Sequence, residues 1–462
     1  APAMQKLVLS SFLTLALPLL CAAEQGLWLE AERFRELGGW VMDQQSMETM
    51  GSAYVMAHGL GVPVADAATA YVIPRAGTWT VWVRTRDWTA PWKRGTPAGR
   101  FNVLVNGTVL SGVLGTNGND WNWQKAGEIT LPQGNVQIAL RDLTGFNGRC
   151  DALYLTDTPH VTPPGETGEL AEFRRQHSGA AIKDDPIMYD LAIAGGGMAG
   201  TCAAVAALHT GSRVVLIQDR PVLGGCNSSE VRVGLGGWAQ WAPYPNVGRV
   251  VTAIGPIMGG GGVYPGDWYE DKRKENIFRL NPCDQYKVAL NERVYAVERD
   301  PDAPSTITAY IARNARTGKE TRYRARLFAD CTGDAIIARM MGAEVMYGRE
   351  ARAQFNESIA PEKSDRQVMG MSVQWISRRS AEPTPFPDID WGIAFSDDTV
   401  SHIRSGNWTW ETGQYRDQVK EAEQIRDYGL MAILANWSYL KNHAKRKNEW
   451  ANDTLEWVSP IG

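Results

Sequence analysis

Between Leu27 and Thr158 apolar residues recur at every second position in short runs. "GTWTVWVRTRDW" (77–88) alternates with period two, as a half-buried strand does. "RFNVLVNGTVL" sets Asn106-Gly107 between two such runs, a hairpin turn. "NVQIALRDL" and "CDALYLTD" add strands, and no helical period interrupts them. The pattern predicts an all-β sandwich over 25–158. It breaks at Pro163-Pro164-Gly165. "ETGELAEFRRQHSG" then predicts one short helix, with Thr167 as cap and Leu170 and Phe173 on one face. Residues 159–186 are the expected linker.

Past the linker the period changes. Residues 189–194 form a short apolar strand, "TCAAVAALHTG" a small-residue helix ended by Gly211, and "RVVLIQ" a second strand. "YKVALNERVYAVERD" and "TITAYIARN" are further strands, and "RARLFADCTGDAIIARMMGAE" is a strand followed by a helix. This alternation predicts an α/β, Rossmann-like domain over 187–348. In the remainder, 349–462, "QYRDQVKEAEQIRDYGLMAILANWSYLKNHAKRKNE" predicts one long amphipathic helix, with Val419, Ala422, Ile425 and Leu430 among its apolar positions. The closing "WANDTLEWVSPIG" completes no domain, so the α/β part is expected to be incomplete at its C-terminal side.

The first residues are a processing signal. Lys6 precedes an apolar run from 7 to 20 and then "CAAEQ", which predicts a signal peptide over 4–23 and an exported protein, periplasmic or extracellular. Leu20 before Cys21 argues against a lipid anchor. No later apolar run reaches the roughly 18 residues that span a bilayer. A net charge of −4 gives no footing for a nucleic-acid partner. After cleavage five cysteines remain, Cys150, Cys202, Cys226, Cys283 and Cys331, with no CxxC among them. Zinc ribbons and iron–sulfur clusters therefore lack support, and at least one thiol is left unpaired.

The candidate chemistry starts at "DLAIAGGGMAGTCAAVAALHTGSRVVLIQDR" (190–220). Gly195, Gly197 and Gly200 form G-x-G-x-x-G between a strand and a helix. Its glycines serve a tight turn, close approach of backbone to a pyrophosphate, and helix–strand packing. The helix N-terminus offers free N–H groups to phosphate. The acid that would take the ribose is displaced: Gln218 stands at the strand end and Asp219 follows. A second glycine loop, "DRPVLGGCNSSEVRVGLGG", and a later strand ending in Thr332-Gly333-Asp334 match the two motifs of flavin proteins, with a β-meander between them. A simple NAD dehydrogenase would not need this layout.

From Tyr189 onward, on "AGGGMAG", "IQDRPVLGGCNSSEVRV", "LFADCTGDAIIARMMGAE" and "WTWETG", the chain resembles the FAD-dependent oxidoreductase family whose wider group includes the flavin subunit of heterodisulfide reductase. The resemblance implies FAD, with its phosphates at Gly195, Gly196, Gly197 and Gly200. It implies the adenosine ribose near Gln218, Asp219 and Arg220, and the flavin side near Gly224, Gly225, Thr332, Gly333 and Asp334. Some relatives carry iron–sulfur clusters, for which this chain lacks the cysteines.

The sandwich, on "LWLEAERF", "GTWTVWVRTRDW" and "RCDALYLTD", resembles galactose-binding-like carbohydrate-binding modules. That resemblance implies a structural calcium (Ca2+) at Glu30, Glu32 and Asp151, since calcium takes several hard oxygens; solvated edge charges are the alternative. Trp88, Trp92, Trp121 and Trp123 fall in or near predicted loops, where a sugar platform would form. A structural spacer is the other reading of this domain.

The catalytic groups stay unassigned. None of the six histidines, His58, His160, His177, His209, His402 and His443, is nominated as a base by its setting. "GNWTWETG" (406–413) joins rings to Glu411, as a sugar site or a packed turn, and Cys226 lies beside the second glycine loop. The expected function is an FAD-dependent oxidoreductase acting on a carbohydrate-like or other small alcohol outside the cytoplasm. Its small-molecule or glycan substrate and its electron acceptor are unidentified. The alternative is a non-catalytic glycan-binding protein with a degenerate flavin fold; flavin content separates the two.

Overall fold

A computed structural model describes residues 26–92, 95–165, 167–178, 181–236, 243–246, 248–256, 263–282 and 284–462. The expected leader, 4–23, lies outside them.

The alternating runs build a β-sandwich. One antiparallel sheet has the order Leu27–Glu30, Ala152–Thr156, Gly77–Thr85, Asn122–Leu131. The other runs Ala67–Ile73, Gly134–Asp142, Phe101–Val105, Thr108–Val109. Trp79, Val81 and Val83 alternate inward from the first sheet and meet Val103, Val105, Ile138 and Leu140 from the second. The predicted hairpin turn has positive φ at both central residues, Asn106 (49°) and Gly107 (79°), as the right-handed strand twist demands. A small third sheet, Gly148–Cys150, Tyr54–Ala57 and Val41–Asp43, stands at one end.

The linker is not extended. The helix Thr167–Ser178 lays Leu170 and Phe173 against Trp28 and Tyr154 of the sandwich. The next strand begins at Ile182, so the expected boundary at 187 falls inside an element. Its register shifts between Asp184 and Met188, where Pro186 supplies no N–H to the ladder.

That strand, Ile182–Ala194, is central in a six-stranded sheet ordered Tyr286–Leu290, Val214–Gln218, Ile182–Ala194, Glu320–Asp330, Ile307–Asn314, Glu292–Arg299. The first four strands are parallel, and the last two join antiparallel as the meander. Helix Met198–His209 makes the crossover between the two strands of the glycine motif. The fold is therefore an all-β sandwich followed by an α/β domain, as the hydrophobic pattern predicts.

The long C-terminal helix departs from expectation. It spans Ala422–Asn442 and is buried nearly all round, Arg426 and Asp427 included, where a one-sided amphipathic helix is expected. It is clamped between the sandwich and the strand Trp375–Arg379, which pairs with Asp453–Val458. One apolar core runs through both halves: Trp88, Ala98 and Phe146 from the sandwich, with Trp375, Trp391, Leu434 and Trp437 from the second half.

This docking consumes the loop tryptophans. Trp88 is fully buried against Trp391 and donates its indole N–H to the Phe146 carbonyl at 2.9 Å. Trp92 packs on Tyr428. Trp121 donates to Glu423 at 3.1 Å, and Trp123 to the Pro164 carbonyl at 3.0 Å. Trp88 is thereby withdrawn from the expected sugar platform, while Trp92, Trp121 and Trp123 stay half-buried. Cys150, Cys202, Cys226 and Cys331 are free thiols, and Cys283 lies outside the described residues.

Candidate functional site

At the C-terminal ends of the parallel strands, where α/β sheets hold ligands, lies a cavity of about 620 Å³. It is lined by Gly195, Gly197, Asp219, Arg220, Gly224, Gly225, Cys226, Thr332, Gly333 and Asp334. The three parts of the flavin pattern, far apart in sequence, thus meet around one space.

Each glycine of the first motif has its own constraint. Gly195 has φ +97°, and a side chain there would strike the Cys331 carbonyl. At Gly200 a Cβ would sit 1.8 Å from the Gly195 oxygen, so helix and strand could not close. At Gly197 the nearest atom to a Cβ is the Gly225 Cα, 4.0 Å away. That glycine leaves room on the cavity side. Gly197 is also the N-cap of Met198–His209 and provides no side-chain cap, so the first turn's N–H groups are left for a ligand.

Gln218 does not present its amide to a ribose. Its Oε1 accepts from Gly196 N at 2.7 Å, and its Nε2 donates to the Val222 carbonyl at 3.1 Å. The amide braces the two glycine loops, and Gly224 N adds a bond to the Gly196 carbonyl at 2.9 Å. A carboxylate could accept but not donate, so Gln suits this brace. The next residue, Asp219, faces the cavity and pairs with Arg293 at 3.3 Å. Arg220 lines the same wall, in electrostatic reach of Asp43, Cys226 and Glu230.

On the opposite strand Asp330 organises the T-G-D turn. It accepts from Thr332 N and Oγ1 (3.1 and 2.7 Å) and from Ile337 N and Ala338 N (both 3.0 Å). Gly333 has φ +87°, and nothing lies within 4 Å of a Cβ built there. Asp334 is exposed on the cavity lining.

Several lining residues escaped the motif reading. Gln45 and Ser46 of the sandwich line the cavity, as do Met371, Gln418, Val419 and Ala422 from the C-terminal part. No local pattern marks them, since long-range docking brings them in. Glu230 is a lining carboxyl whose pKa burial pushes up, with Arg220 opposing. Its place in the second glycine loop, four residues after Cys226, was the available clue. Cys226 lies on the same lining as an exposed thiol.

No histidine is among the described lining residues. His58 is half-buried, held between Asn147 and the Val458 carbonyl, and loss of solvent there lowers its pKa. His443 pairs with Asp388 on the surface. In the "GNWTWETG" stretch Trp410 stacks on Trp375 and Glu411 accepts from Gly370 N at 3.2 Å, while Trp408 stands exposed.

Glu30, Glu32 and Asp151 do come together and are buried, not solvated. The positive charge among them is organic. Arg84 and Arg174 reach Asp151 at 2.8 and 2.9 Å, and Arg174 reaches Glu30 at 3.1 Å. Burial, then Glu30, pushes the Glu32 pKa well above the ordinary carboxylate range. Among the described residues no group of three or more His, Cys, Asp or Glu is arranged to hold a metal ion. Glu30 and Glu32 keep buried carboxylate oxygens with no hydrogen-bond partner among the described residues, beside these guanidinium groups.

The crossover, the two glycine loops and the T-G-D turn define a dinucleotide-binding α/β protein of the flavin type. The profile of the FAD dependent oxidoreductase family matches residues 190–459, and the chain belongs to that family. A search of curated proteins finds no match. Similar solved structures include the C-terminal CBM6 of LamC, a marine laminarinase from Zobellia galactanivorans (19% identity, 29% of this chain and 99% of that one, TM-score 0.23). They also include a family 35 carbohydrate binding module from Clostridium thermocellum (18%, 29% and 99%, TM-score 0.24). A third is the Podospora anserina GH26-CBM35 beta-(1,4)-mannanase (16%, 46% and 52%, TM-score 0.24). No helix among the described residues is long and apolar enough to cross a membrane.

Proposed function

We propose that the chain is an FAD-dependent oxidoreductase acting on a carbohydrate-like or other small alcohol outside the cytoplasm. The supporting observation is that both flavin motifs line one cavity of about 620 Å³, a size in the range of cofactor and ligand sites. Bound FAD would supply the hydride acceptor. The N–H groups at the start of Met198–His209 would hold its pyrophosphate, with Arg220 as counter-charge. Asp219 would take the ribose role that Gln218 gives up to loop bracing. Asp334 and the Gly224–Gly225 turn would face the flavin side.

Oxidation of an alcohol also needs a proton acceptor near neutral pH. Glu230, a carboxyl on the cavity lining whose pKa is raised by burial, is the candidate. Export rests on the leader-like residues 4–23.

The test is the visible spectrum of the purified protein, with the cofactor released by heat and identified. The expected result is a flavin band and free FAD, followed by dye reduction with sugars or small alcohols. A colourless protein that takes up no added FAD would overturn the reading in favour of a binding protein.

A further inference from the structure

We infer that the sandwich builds part of the cofactor site: its turn at 43–47 closes the adenosine end of the cradle. The inference rests on the FAD reading above and goes beyond it, because the family match begins at residue 190 and assigns the sandwich no part in the site.

Three observations carry it. First, the turn reaches the cradle directly. Gln44, almost wholly buried, donates its amide to the Asp219 backbone carbonyl at the end of the second Rossmann strand. Gln45 and Ser46 lie on the cavity lining, and Gln45 also accepts from Gly462 N at 3.2 Å. Second, the turn is held rigidly. Asp43 accepts from Gln45 N at 2.9 Å, from Tyr54 at 2.7 Å and from Arg426 at 2.8 Å.

Third, Arg426 ties the turn to the opposite wall. It lies one turn along the helix whose first residue, Ala422, lines the same cavity. The neighbouring Asp427 pairs with Arg149 of the sandwich at 2.5 Å, and Glu423 pairs with Arg149 and Arg86 at 2.7 and 3.1 Å. A buried network of this kind has few alternative arrangements, since each charge left unpaired is costly. The two walls therefore hold or release together, and a ligand between them is linked to the docking of the sandwich.

Hydrogen exchange on the intact chain, with and without FAD, tests this. The expected result is slower exchange at 41–50 together with slower exchange in the glycine loops 195–200 and 222–228. Gln45→Ala should weaken FAD about fivefold to tenfold, the loss of roughly one net hydrogen bond. It should weaken ADP by the same factor, since ADP carries only the adenosine half. Protection confined to the glycine loops, or an unchanged ADP affinity in Gln45→Ala, would overturn the inference and leave the FAD reading standing. No response in either region would overturn both.

Discussion

At the scale of single residues, the glycines of the first motif separate folding from binding. A Cβ at Gly200 meets the Gly195 oxygen at 1.8 Å, whereas one at Gly197 meets only the Gly225 Cα at 4.0 Å. Gly200→Ala is therefore expected to destabilise the fold by about 1–3 kcal/mol, the cost of overpacking. Gly197→Ala should melt like the parent yet bind FAD at least tenfold more weakly, because its methyl group occupies the approach to the pyrophosphate. Paired melting curves and flavin titrations decide this; equal FAD affinity in Gly197→Ala would contradict the assigned role. The motif was legible because its spacing is local. The fate of Gln218 was not. One sees an amide where an acid is usual, but only the loop geometry shows that its acceptor and donor are both spent on Gly196 and Val222.

At the scale of elements, the linker helix and the long helix act as ionic fasteners. Arg174 on Thr167–Ser178 carries its charge into the cluster of Glu30 and Asp151. Excess chelator should leave the melting temperature unchanged, while Arg174→Met should cost about 3–5 kcal/mol by stranding buried carboxylates. A melting temperature that falls with chelator would instead support a calcium ion at Glu30, Glu32 and Asp151.

The long helix makes the docking sensitive to acid. Glu423, facing Arg86, Arg149, Arg426, Tyr54 and Trp121, is held down to a pKa of about 2 by those guanidinium groups against its own burial. A depressed carboxylate contributes stability that is present above its unfolded value and lost as pH falls through the folded one. His58, with its pKa lowered by burial, adds a loss that begins below its ordinary value of about 6.5. Tryptophan emission should therefore shift to the red in two stages, below about pH 6.5 and again from about 4.5 toward 2. Emission unchanged down to pH 3 would contradict the assignment. Strands and the crossover helix were readable from periodicity. The burial of Ala422–Asn442 was not, since Arg426 and Asp427 look solvated until Arg149 and Asp43 are seen opposite them.

For the whole molecule, the two halves share one apolar core and one cavity wall. The boundary is plain in composition, at Pro163-Pro164-Gly165, and suggests a detachable module. The packing contradicts that picture: Trp88 and Phe146 of the sandwich are buried with Trp391 of the second half. Tryptophan-rich loops are ambiguous in sequence because a ring that stacks on a ligand and one that fills an interface have the same composition. Arg149→Met, far from the glycine loops, should therefore lower both stability and flavin affinity.

The most direct test of the central claim is calorimetric titration of the cofactor-free chain with FAD and, separately, NAD. One FAD bound per chain and no measurable NAD binding are expected. Binding of NAD in preference to FAD, or of neither, would contradict it.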